Sequence, residues 1–159
     1  MFEILHTLLQ EDPVFKNNVK FITRQFKAND KILEQGQLHK SVYLIKSGKV
    51  RVVVHADIKE SSPMRPGIAD LGVHDVFGEF ALFDNMPASA DVIAVDDSEL
   101  IEIDIPSLKT FLEKNPEIAY TFFVAMINTL VSRLRHADKS IFTLYSWGMK
   151  AHKLDKYLE

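Results

Sequence analysis

The residues with chemical potential are concentrated in one stretch, residues 76–95, VFGEFALFDNMPASADVIAV. A carboxylate, Glu79, directly follows a glycine, Gly78, and a hydroxyl, Ser89, stands further on between Ala88 and Ala90. Gly78 frees the backbone, and Phe80-Ala81-Leu82-Phe83 continues as one turn of helix. Asp84-Asn85-Met86-Pro87 forms a turn, and Asp91-Val92-Ile93-Ala94-Val95 leaves as a buried strand. A helix that short keeps most of its N–H groups unpaired, so its start is suited to holding an anion.

Other chemistries find no residues. His6, His39, His55, His74, His136 and His152 are scattered with no H-x-H pair, so no metal site is expected. There is no cysteine, which removes disulfide and thiolate chemistry and fits a reducing cytoplasm. No Ser/His/Asp order or nucleophile elbow occurs, and Gly78-Glu79 is not a dinucleotide loop. No catalytic residue is assigned, and the chain is read as non-enzymatic. A net charge of −3 over 159 residues marks no nucleic-acid or acidic-membrane surface. No run reaches about 18 apolar residues, so no membrane span is expected, and Met1-Phe2-Glu3-Ile4 does not begin a secretion signal.

The elements that must position this stretch follow from periodicity. Residues 1–25 read as helical: Phe2, Leu5, Leu8 and Leu9 share a face, Asp12-Pro13 starts a new helix, and Phe15, Val19 and Ile22 continue the stripe. From about residue 26 the period becomes that of strands. Lys31-Ile32-Leu33-Glu34 and Val42-Tyr43-Leu44-Ile45 are strands set off by Gly36 and Gly48. Residues 49–55 then alternate, with Val50, Val52 and Val54 opposite Arg51, Val53 and His55. Residues 61–67 carry two prolines and a glycine and read as a loop. Seven or eight short strands to about residue 104 fit a β-roll of the jelly-roll kind. Asp104 or Ser107 caps a helix around residues 108–114, and Asn115 with Pro116 opens the next.

That next helix carries a second pattern. Tyr120, Phe123, Ile127, Leu130, Leu134, Ala137, Ile141 and Leu144 are spaced 3-4-3-4, an a/d seam about 37 Å long. A single roll offers less apolar length than this seam presents, so a parallel homodimer is the expected use. Phe122 and Met126 lie beside the seam on the side suited to the roll. Arg133, Arg135, His136 and Lys139 read as a solvated helix end complementing the macrodipole. Trp147-Gly148 breaks the pattern, leaving residues 146–159 as a tail in which Leu154, Tyr157 and Leu158 suit a short helix.

Phe77-Gly78-Glu79-x-Ala81-Leu82 followed by Pro87-x-Ser89-Ala90 resembles the phosphate-binding cassette of cyclic-nucleotide-binding domains, as found in catabolite-activator-type bacterial regulators and protein kinase A regulatory subunits. The resemblance covers roughly residues 15–145. It implies a mainly β, jelly-roll domain over residues 1–145, with the roll at about 26–104, short N-terminal helices, and a long dimer helix at about 116–144. It also implies a ligand site at Phe77, Gly78, Glu79, Phe80, Ala81, Ala88, Ser89 and Ala90, in which Glu79 holds a ribose hydroxyl and Ser89 assists at the cyclic phosphate. Glu79 equally suits a structural role, accepting loop amides with no ligand present.

One part of the resemblance is missing. The family's arginine, directly after the proline, is Ala88. A charge-assisted bond is worth about 1.5–3 kcal/mol and an unpaired buried charge costs about 3–5, a loss on the order of a hundredfold to a thousandfold in affinity. Arg51 and Arg65 are candidate substitutes, and Asp91 would oppose an anion if it faced the pocket; strand parity leaves its direction open. The expected function is a dimeric signalling module with a degenerate site that binds a protein partner, or alternatively a sensor of a cyclic nucleotide or other small anion. Family regulators carry a helix-turn-helix after the dimer helix, which needs about 60 residues more than follow Leu144, so no DNA binding by this chain alone is expected.

Overall fold

The computed structural model describes residues 1–54 and 67–151. Two helices open the chain, α1 (Phe2–Glu11) and α2 (Pro13–Asn18). Between them the Asp12 carboxylate accepts the amides of Val14 at 2.7 Å and Phe15 at 3.0 Å, while Pro13, lacking an N–H, occupies the first helical position. The apolar stripe does not continue to Ile22 as expected. Residues Phe21–Phe26 are strand β1, so the roll starts earlier than residue 26. This is an edge strand whose middle four positions are exposed, so its sequence carries neither a helical nor a clean strand period.

The remaining strands are β2 (Lys31–Leu33), β3 (Ser41–Ser47), β4 (Val50–Val53), β5 (Gly67–Leu71), β6 (Val76–Phe77), β7 (Asp91–Ala94) and β8 (Ser98–Asp104). They form two antiparallel four-stranded sheets, β1-β8-β3-β6 and β2-β7-β4-β5. The first sheet is covered on both faces. Val42, Leu44, Ile101 and Ile103 pack toward the helices with Leu5, Phe15, Leu108 and Phe122. Tyr43, Ile45 and Leu100 point into the roll, against Leu33, Val50 and Val92 of the second sheet. Burial on both faces explains why β3 reads as an unbroken apolar run. In β4 the expected alternation breaks at Val53, which is buried although it was grouped with exposed Arg51; the pairing with β5 shifts register between Val52 and Val53. His55, Arg65 and the loop prolines lie outside the described residues, as do Leu154, Tyr157 and Leu158.

Asp104 caps α3 (Ile105–Lys114), accepting the Ser107 amide at 2.9 Å. Asn115 stands directly before Pro116 and opens the following helix as expected, its carbonyl accepting the Ala119 amide. Its side chain serves the other helix end, where Nδ2 donates to the Phe111 carbonyl at 2.8 Å and closes α3. Helix α4 then runs without interruption from Pro116 to Ala151, about 54 Å. The expected break at Trp147-Gly148 does not occur. One glycine costs a helix only about 1 kcal/mol relative to alanine, too little to end a helix that continues on both sides. The first half of α4 is anchored by buried Phe122 and Met126 and by half-buried Ile118, Ala119 and Leu130. From Leu134 onward most side chains are exposed.

Candidate functional site

Strand β6 delivers the chain to Gly78, whose φ of 78° lies in the left-handed region. A Cβ there would sit 2.8 Å from the Ser41 carbonyl oxygen and 3.2 Å from the His39 ring, so only glycine fits both the backbone and the space. A single 3-10 turn, Glu79–Leu82, follows. Leu82 enters the helical core, while Phe80 and Phe83 face outward. Phe77 is buried in the roll, stacked on Tyr43 with ring centroids 5.1 Å apart, and is a core residue. Burial, reinforced by nearby Glu102, pushes the Tyr43 hydroxyl up to about 12.

Glu79 is 3% exposed. Its Oε1 accepts from Nη1 of Arg133 on α4, and Nη2 of the same guanidinium donates to the Val76 carbonyl. Arg133 is therefore not part of a solvated basic cluster, as its sequence neighbours suggested. It is half-buried and bridges α4 to both sides of Gly78, whereas Arg135, His136 and Lys139 are exposed. One signal was available: Arg133 lies seven residues, two turns, after Met126 and so shares its inward face. The pairing supplies the buried carboxylate with the partner that burial demands.

The second half of the cassette is held through its backbone. The Ala88 amide donates to the Gln37 carbonyl and the Gly36 amide donates to the Ala88 carbonyl, each at 2.9 Å. The Ala88 methyl is half-buried, Ser89 is exposed and Ala90 is buried. Asp91, whose direction the sequence left open, is 1% exposed. Its Oδ1 accepts the Gln35 amide at 2.7 Å and its Oδ2 lies 3.3 Å from Lys31 Nζ. It fastens the turn after β2 to β7. Glu34 and Asp91 together hold the Lys31 ammonium above its ordinary range.

Arg51 is engaged elsewhere. Its Nε and Nη2 form a fork on Asp70 of β5 at 2.6 and 2.9 Å, an exposed cross-strand pair. That hydrogen bonding keeps the Asp70 carboxyl below its ordinary value. Two hollows lie on the helical side of the molecule. One of about 400 Å³ runs between α1 and α4 and is lined by Ile4, Leu8 and Ile118; another of about 350 Å³ is bounded by Met1, His74, Asp75 and Val76. Neither is lined by Glu79 or Ser89.

Along α4, Tyr120, Phe123, Ile127, Leu134, Ala137, Ile141 and Leu144 are exposed, and Leu130 is half-buried against the core. The seam touches the cassette where the Phe83 and Phe123 rings lie 6.2 Å apart. Among the described residues no helix is long and apolar enough to cross a membrane.

The family model of the cyclic nucleotide-binding domain matches residues 23–115. The cyclic AMP receptor protein of Thermus thermophilus is 32% identical over 119 residues, 74% of this chain and 51% of that protein, so the chain spans about half the length of this relative. The solved catabolite activator protein of Thermus thermophilus aligns with a TM-score of 0.61 at 30% identity, over 78% of this chain and 55% of that one. A cyclic nucleotide-binding domain from Methylobacillus flagellatus kt aligns at TM-score 0.66 and 21% identity, over 73% of this chain and 63% of that one, a likeness of fold.

Proposed function

The chain belongs to the cyclic nucleotide-binding domain family, and from that premise we propose that it is a non-enzymatic regulatory module, dimeric through α4, whose phosphate site is degenerate and which acts by binding a protein partner. The observation that carries this reading is the state of the cations around the cassette. Where a cyclic phosphate needs a positive charge, Ala88 presents a methyl group, and its amide and carbonyl are already paired with Gln37 and Gly36. Arg51 is forked on Asp70, Lys31 lies between Glu34 and Asp91, and Arg133 is held by Glu79 and the Val76 carbonyl. Recruiting any of these to an anion breaks an existing pair, which reduces the gain from the new one.

The dimer is supported by the uncovered seam. Seven of its eight residues are exposed in one chain, at the spacing that buries them against a second copy of the same helix.

A second reading rests on the front of the cassette, where left-handed Gly78, the Glu79 carboxylate and exposed Ser89 keep the frame of a ligand site. In that reading the chain senses a cyclic nucleotide or another small anion, and binding reaches α4 through Glu79 and Arg133. Thermal melts of the wild-type protein with cyclic AMP, cyclic GMP and cyclic di-GMP up to millimolar concentration separate the two. A flat response is expected. A ligand present at about a hundred times its dissociation constant would add roughly 2.7 kcal/mol, and a saturable shift at micromolar concentration would establish the sensor instead.

A further inference from the structure

The heptad positions around the seam give Arg133 a second partner. With Tyr120, Ile127, Leu134 and Ile141 as one core position and Phe123, Leu130, Ala137 and Leu144 as the other, Arg133 directly precedes a core leucine and Asp138 directly follows a core alanine. In a parallel two-stranded coil, the residue before the first core position faces the residue five places further along the other helix. Arg133 and Asp138 are separated by five. The other such pairs within the described seam are Ala119 with Val124, Met126 with Val131, and Ser140 with Tyr145, so this is the one pair there with opposite charges. Asp138 is exposed.

We propose that Arg133 is a shared contact: its guanidinium either turns inward to Glu79 and the Val76 carbonyl, as in this structure, or swings outward to Asp138 of a second copy, so that the state of the Glu79 carboxylate sets the strength of the dimer. The inference rests on the parallel dimer proposed above and names its regulation. Both terminal nitrogens of Arg133 are committed inward, so the two arrangements compete for one side chain. Arg133 belongs to the inward face with Met126 yet borders the seam at Leu134, which places it at the edge where both partners are within the sweep of a long side chain. Loss of the negative charge on Glu79 would release Arg133 and tighten the dimer. Two-fold symmetry doubles the effect, because each copy contributes one arginine and one aspartate.

The test is a double-mutant cycle read as the dimer dissociation constant by sedimentation equilibrium. Glu79→Gln weakens the inward contact and should tighten the dimer by about threefold to tenfold, the range for two exposed ion pairs. In the Asp138→Asn background that gain should disappear. Asp138→Lys, at an exposed site that leaves folding intact, should weaken the dimer more strongly with Glu79→Gln than with wild-type Glu79. If the effects of Glu79→Gln and Asp138→Asn simply add, the shared contact is wrong while the dimer stands. If the wild-type chain sediments as a monomer throughout, the dimer fails and the inference with it.

Discussion

In residues 78–82 Gly78, Glu79 and Leu82 are each tied to another element, whereas in residues 87–90 the ties run through backbone amides and the side chains are small. Gly78 presses against the Ser41 carbonyl, Glu79 holds Arg133, and Leu82 sits in the helical core. Ala88 is held by its amide and carbonyl alone, and Ser89 points to solvent. The difference separates two uses of one motif. Those three front residues serve the fold itself, because each meets a steric, electrostatic or packing demand of the folded chain. At the back, a long cation would serve only an anion, and its absence leaves the roll intact.

Substitutions at the front should cost the fold most. Gly78→Val places a branched Cβ where only 2.8 Å separates it from a carbonyl oxygen, on a backbone with φ of 78°. We expect a loss of about 3 kcal/mol or more, or failure to fold, measured by urea denaturation. Arg133→Ala comes next. It strands a buried carboxylate and a β6 carbonyl together, and since Arg133 itself is about one-third exposed, the cost is discounted from the fully buried range to about 2–3 kcal/mol. At roughly 2–4 °C per kcal/mol for a chain of this size, the melting temperature should fall by about 4–12 °C. A change below 1 °C would mean that Glu79 needs no partner and that the front is no more structural than the back.

What the sequence allowed one to read follows the same division. The turn glycines, the apolar run of β3 and the Asp12-Pro13 and Asp104 caps each answer to a local rule, and the structure agrees with them. Residues 21–25 read as helix in sequence because an edge strand with exposed middle positions has no burial to impose a period. The Asn115 side chain turned back to α3 because either helix end can accept it, and composition does not choose. Arg133 was hidden by its neighbours. Three exposed basic residues follow it within six positions, and its partner lies 54 residues away, so only its face on the helix gave it away. The direction of Asp91 needed the position of the Gln35 amide, a loop geometry no periodicity encodes.

Ala88→Arg places a cation at the back of the cassette. If the fold leaves space for an arginine side chain there, the variant should gain affinity for cyclic AMP or cyclic GMP by about tenfold to a hundredfold, from one charge-assisted bond. The stability of the unliganded protein should change little, since the position is half-buried and its backbone pairs remain. Isothermal titration of both proteins measures the difference. No gain would mean that the back has closed beyond the loss of a charge.

The smallest effect concerns Arg51, the described alternative cation from the sequence. If its fork on Asp70 is a settled structural pair, Arg51 is not in reserve for an anion. The Asp70 carboxyl is held below its ordinary value of 3.8, first by the hydrogen bond from Arg51. A carboxyl depressed in the folded state contributes stability that is present above its unfolded value and lost as pH falls through the folded one. Wild type should therefore be more stable than Asp70→Asn at neutral pH, and the gap should narrow as pH drops below 3.8. The pair is exposed, so the gap is small and best followed as the difference in melting temperature across an acid series. The same variant frees Arg51, and titration with cyclic AMP should remain flat; a gain in binding would show that the cassette had been lacking a charge that its own roll carries, and the two halves would then differ in commitment of a cation and not in its absence.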